Sequence, residues 1–148
     1  MQRKSVLVDS VRLAAVFFVF LFGASLAEAE QKSHRGFHVV ATDDKGIETD
    51  LQNTVFYYEE KISDTSFIPH ELTGIPVKRG AAAVHVKFDQ IKEIEFKTGS
   101  EQGLPLFIIL TNGKTGEFQL AIMGSFKGTS DFGEVQVPAS GIKKVVFH

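Results

Sequence analysis

"VHVKFDQIKEIEF", Val84–Phe96, and "VQVPASGIKKVVF", Val135–Phe147, decide how this chain reads. The second follows the first at a spacing of 51 residues with no gap. Val84, Val86, Ile91, Lys92 and Phe96 recur as Val135, Val137, Ile142, Lys143 and Phe147, and Ile94 returns as Val145. In each stretch the paired valines point one way from a strand, while His85 or Gln136 points the other. "KFDQ" or "PASG" then breaks the alternation. Pro138 donates nothing to a ladder and Gly141 accepts unusual dihedral angles, so a tight corner is predicted there. Ile91 or Ile142 plugs the corner, and a new short strand buries Ile94 with Phe96, or Val145 with Phe147. Farther upstream, Phe56 meets Phe107 and Phe67 meets Phe118 at the same spacing. The fixed offset predicts a duplicated β unit. Two strands that converge on one pleat pattern are the plainer alternative.

The rest of the chain also reads as strand. "GFHVVATDDKGIETDL" is a strand, a turn at Asp44-Lys45-Gly46, and a second strand. "TVFYYEE", Thr54–Glu60, is β-branched and aromatic, with a polar break at "KISDTS". Asn112-Gly113 is a type I′ hairpin dipeptide. Before it, Phe107–Leu110 is apolar on consecutive positions, as in a strand covered on both faces. After it, Phe118, Leu120 and Ile122 alternate with Glu117, Gln119 and Ala121, as in a half-buried strand. No mature segment carries a helical period; "HELTG" and "FDQIKEI" could each supply one turn. The predicted fold is all-β, with two tandem antiparallel β units of about 50 residues, at about 50–96 and 101–147, forming small barrels or a sandwich.

The first residues are of another kind. Arg3, Lys4 and Arg12 precede the apolar "LAAVFFVFLFGASLA", and Ser25-Leu26-Ala27 offers a small-residue cleavage site. This is the pattern of a secretory signal peptide. A spanning helix needs about 20 apolar residues, and Gly23, Ser25 and Glu28 interrupt the run. The expected organisation is a signal peptide at 1–27, a flexible arm at 28–36 and a single all-β domain at 37–148. That implies a periplasmic or secreted bacterial protein with no integral membrane segment after cleavage.

"FGEVQVPASGIKKVVF" resembles the end of an SH3-like or Sm-like small barrel: a Gly-led strand, a Pro, one 3₁₀ turn and a closing strand. The likeness covers the final third of the chain, with a weaker echo in the middle. It implies architecture alone, because the aromatic residues with which signalling SH3 domains grip proline-rich peptides have no counterparts here.

Composition narrows the chemistry. There are 14 Phe, no Trp and no Cys, so thiolate catalysis, disulfides and Cys-based metal sites are excluded. The formal charge is −2, and loss of Arg3, Lys4, Arg12 and Asp9 with the leader makes it −4. Such a chain lacks the electrostatic footprint for nucleic acid. His34 and His38 have helical ligand spacing, yet extended chain would hold them about 13 Å apart. His70 could meet His85 if their strands pair, with Glu71 or Asp89 near, the best metal candidate against a reading of solvated histidines. Asp43, Asp44, Glu48 and Asp50 fail the calcium-loop spacing and read as a charged turn. "GSFKGTSDFG", with Lys127, matches no phosphate loop. Glu93 and Glu95 form a solvated row, and Glu59 and Glu60 point to opposite faces. No catalytic, cofactor-binding or metal residue is expected.

What remains is a non-enzymatic interaction or assembly module whose partner is another protein or a second copy. Phe56-Tyr57-Tyr58 places aromatics on successive positions, so one of Tyr57 and Tyr58 faces outward as a candidate contact surface. A small-ligand binder, with an aromatic pocket between the two units, is the alternative.

Overall fold

The computed structural model describes residues 36–97 and 103–148, and Gly36–His148 forms a compact unit by itself. The expected signal peptide and the arm up to residue 35 lie outside the described residues. The fold is all-β and antiparallel. Its strands are β1 (Phe37–Asp43), β2 (Glu48–Ser63), β3 (Ser66–Leu72), β4 (Gly74–Arg79), β5 (Ala82–Lys87), β6 (Ile91–Phe96), β7 (Pro105–Leu110), β8 (Thr115–Leu120), β9 (Ser125–Ser130), β10 (Gly133–Pro138) and β11 (Ile142–Phe147). They follow one another across the sheet as β10-β9-β2-β1-β11-β6-β7-β8-β4-β5, and β3 pairs with β2 alone. No helix among the described residues is long and apolar enough to cross a membrane.

Four consecutive elements recur at the 51-residue spacing. β4, β5, the 3₁₀ turn Phe88–Gln90 and β6 return as β9, β10, the 3₁₀ turn Ala139–Gly141 and β11. The corner expected at "KFDQ" and "PASG" is this 3₁₀ turn, and Ile91 and Ile142 plug it at 2% and 3% exposure. β6 and β11 pair with each other, and Ile94 stands opposite Val145. Counterpart therefore faces counterpart, as at a two-fold axis.

Of the two arrangements expected, small barrels or a sandwich, two separate barrels do not form. The β7–β8 hairpin pairs with β6 and β4, strands of the preceding set. The β1–β2 hairpin pairs with β11 and β9, strands of the following set. Ala41 meets Val145 where Ile108 meets Ile94, and Gln52 meets Thr129 where Gln119 meets Lys78. The counterpart of β7 is thus β1, so Phe56 and Phe107 hold different places in the sheet. Each hairpin completes the half to which it is not joined by its closest chain neighbours.

One apolar interior results. Phe56, Phe88 and Phe126 are fully enclosed along with Leu51, Ile75, Ile94, Leu106, Ile108 and Val145. Phe88 packs edge-on against Phe37 at 5.5 Å and stacks on Phe126 at 6.2 Å between ring centroids. Its counterpart in the other 3₁₀ turn is Ala139, also buried. Phe107–Leu110 differs from expectation: Ile108 is enclosed, whereas Phe107 and Ile109 are half-buried on the outer face.

Candidate functional site

β2 is 16 residues long, and its two ends do different work. Glu48–Thr54 pairs with β1. At Asn53, φ is +53° and the register shifts, after which Phe56–Ser63 pairs with β3. The left-handed region suits Asn better than most residues. The polar stretch "KISDTS" is therefore no break but the tip of a hairpin. β8 has no such extension, since only four residues separate its end from the start of β9. From Glu59 to Pro69 every residue is exposed, so this hairpin stands off the body. Ile62 at 61%, Phe67 at 53% and Ile68 at 42% exposure make its surface apolar as well as acidic.

The base of the hairpin carries the two tyrosines. Phe56 is buried, and parity sends Tyr58 with it, against the core. Tyr58 stacks on His70, the rings 4.7 Å apart and inclined by 13°. Tyr57 takes the opposite face. The Nζ of Lys127 lies 5.0 Å from its ring centroid, and its hydroxyl donates to Glu59 Oε1 at 2.8 Å. That hydrogen bond, with burial, raises the Tyr57 phenol above its usual range. Lys127 itself lies 2.9 Å from Glu134 and 3.5 Å from Glu71, and the hydrogen bond to Glu134 holds its ammonium charged above the usual lysine range. Glu134, Lys127, Tyr57 and Glu71 thus tie β10, β9, β2 and β3 into one outward face. The outward tyrosine expected from the sequence is Tyr57.

The other candidates are dispersed. His70 belongs to β3 and His85 to β5, strands that do not pair. His70 Nε2 meets Glu60 Oε2 at 2.9 Å, while the His85 ring covers Gly74. Asp43 Oδ1 accepts from the backbone N–H groups of Lys45 and Ile47, each at 2.9 Å, a turn closed by its own side chain. "GSFKGTSDFG" forms β9, its turn and the start of β10. His38 pairs with Asp50 and packs against His148 at 5.2 Å, a cluster that no local spacing signals because β1 and the residue after β11 meet only across the sheet. His34 lies outside the described residues. Among the described residues, no group of three or more His, Asp or Glu side chains is placed to hold a metal ion.

Beside a cleft of about 640 Å³ bordered by Asp44, Phe96, Lys97 and Ile142, three smaller clefts mark the surface of the described residues. One of about 230 Å³ lies between β5 and the β7–β8 hairpin, with Val84, Val86, Ile108, Leu110 and Phe118 around His85. A second, of about 410 Å³, brings Lys78, Arg79 and Lys97 over Pro105, Leu106 and Phe118. A third, of about 360 Å³, is bordered by Glu48, Asp50 and Asp131 beside Phe132.

Residues 33–148 match a protein-family model described as an uncharacterised protein. The chain belongs to that family. Neither curated proteins nor solved structures yield a match.

Proposed function

We propose that this family member is an exported, non-enzymatic β protein of a Gram-negative periplasm that acts as a protein interaction or assembly module through the β2–β3 hairpin. The observation that carries this reading is the hairpin itself. It exposes Ile62, Phe67 and Ile68 on a ribbon outside the core, a placement that costs burial and returns nothing to folding. Tyr57, held over Lys127, lies at its base, and aromatic residues are enriched at the centres of interfaces. The periplasmic location rests on the sequence of residues 1–27. The short 3₁₀ turn after Pro138, followed by β11, supports the likeness to SH3-like barrels as architecture.

The test is a photo-activatable cross-linker placed at Phe67 or Ile68 in exporting cells, with one at Lys92, an exposed residue of the body, as control. The reading predicts a discrete adduct from both hairpin positions that is absent from the control. Adducts equal at all three sites, or none from the hairpin, would end it.

A small-ligand binder is the second reading, favoured by the apolar cleft around His85. Its volume of about 230 Å³ falls below the roughly 300–1,000 Å³ of usual ligand pockets, which places it second. A rise in melting temperature with an apolar compound, lost in Phe118→Ala, would reverse the order.

A further inference from the structure

The second and third clefts share four corresponding positions, Arg79, Gly80, Glu117 and Gln119 in one and Ser130, Asp131, Asp50 and Gln52 in the other, yet their charges are opposite. Among the described residues, the basic cleft gathers Lys78, Arg79 and Lys97 against one carboxylate, that of Glu117. The acidic cleft gathers Glu48, Asp50 and Asp131, and no Lys or Arg lines it. Their counterparts show how the difference arises. Lys78 and Arg79 correspond to Thr129 and Ser130, at the 51-residue spacing. Glu117, paired with Phe107, corresponds to Asp50, paired with Val40.

The hairpin turns differ in the same sense. At the β9–β10 turn, Asp131-Phe132 projects from the acidic side, and the Phe132 ring is fully exposed. At the β4–β5 turn the corresponding residues are Gly80-Ala81, so the basic cleft has no large side chain of its own there. One half presents an aromatic ring flanked by carboxylates. The other presents an open hollow of mixed polar and apolar lining, Pro105 and Phe118 lying beneath a cationic rim.

We infer that copies of this chain associate head to tail, Phe132 of one entering the basic cleft of the next while Asp131 meets Lys78 and Arg79. An aromatic anchor in a pocket with a charged surround is the usual arrangement of an interface centre. In the head-to-tail arrangement each pair of copies makes one such contact, between different surfaces, and the contact is heterologous. Each added copy leaves one of each free, so growth gives a ring or a filament. The inference deepens the assembly reading but uses a surface separate from the β2–β3 hairpin.

Sedimentation velocity of the chain from Glu28 onward, which contains every strand of the compact unit, tests it from micromolar to millimolar concentration. The average mass should rise with concentration and fall in molar salt, because exposed charges are screened. Phe132→Ala and Arg79→Glu should each remain single chains, with circular dichroism and melting temperature unchanged. Mixed in equal amounts, they should form a dimer and grow no further, since each variant retains the face the other has lost. A parent chain that stays monomeric, a variant that still assembles, or a mixture that stays monomeric would overturn the inference. The cross-linking result at Phe67 and Ile68 would stand regardless.

Discussion

Lys144 Nζ lies 3.5 Å from Glu93 Oε1, joining two residues that hold the same place in their respective halves. In a perfectly symmetric sheet this position would set like against like. Opposite charges here turn a repulsion into an attraction across the β6–β11 ladder. Lys144→Glu should therefore lower stability by about 1 kcal/mol, as like charges across a ladder do. The Lys144→Glu, Glu93→Lys double variant should recover only part of it, because Glu95 stands directly opposite position 144. Urea midpoints of the three variants against the parent would decide the matter.

The Phe88 ring reaches Phe37, Phe126 and Phe147, and so ties its own turn to the β1–β2 hairpin and to β9 and β11 of the other set. Phe88→Ala is expected to cost about 3–5 kcal/mol, the usual range for an emptied aromatic site. Ala139→Phe, at the counterpart position, overfills the same centre and should cost about 1–3 kcal/mol. The two changes together should cost less than their sum. Calorimetry on the four chains would show the coupling.

Gly128 lies beside the bulge in β2, and a Cβ there would come within 2.7 Å of the Gln52 carbonyl oxygen. A backbone atom cannot turn aside as a side chain can. Gly128→Ala should destabilise by about 1–3 kcal/mol, and amide exchange should quicken along β9 and β2 in particular. Its counterpart in β4 is Val77, which is accommodated because β8 meets β4 without such a bulge.

Glu117 accepts a hydrogen bond from Lys97 at 2.8 Å, and that bond, with the fields of Lys97 and Arg79, lowers its carboxyl below the ordinary 4.5. A lowered folded value means that the contribution is complete above the unfolded value and is lost as pH falls through the folded one. The melting-temperature gap between parent and Glu117→Gln should stay constant from about pH 7 to pH 5 and close in more acidic solution. A gap unchanged at low pH would contradict the assignment to ionised Glu117.

The doubled phrase placed β5, its corner and β6, and again β10, its corner and β11, because its cues are local. Alternating valines, a Pro or Gly at the corner and an Ile plug act within a few residues. Which hairpin completes which half was not legible, since a strand of alternating pattern pairs equally well with either neighbour. Parity alone showed that Tyr57 and Tyr58 must part company. It could not say which was outward, because that depends on Phe56 being buried and on Lys127 arriving from β9. The projecting hairpin was misread at "KISDTS", where exposure on both faces removes the alternation that marks a strand. The opposed clefts were invisible for another reason: Lys97 and Lys78 converge only through pairings between β6, β7, β8 and β4.

The exchange of hairpins also bears on how the chain is made. Val39 pairs with Phe147, almost the full breadth of the compact unit away in sequence. During synthesis β1 can fold back on β2 at once, but its other edge waits for the final strand to leave the ribosome. Assembly of the sheet is thus governed by contacts of long sequence separation, which fold slowly. A chain cut short before Val145 would lack the partner of both Ala41 and Ile94. Damage to its last residues would therefore be felt at its first, and quality-control proteases would meet an open sheet, not a frayed end.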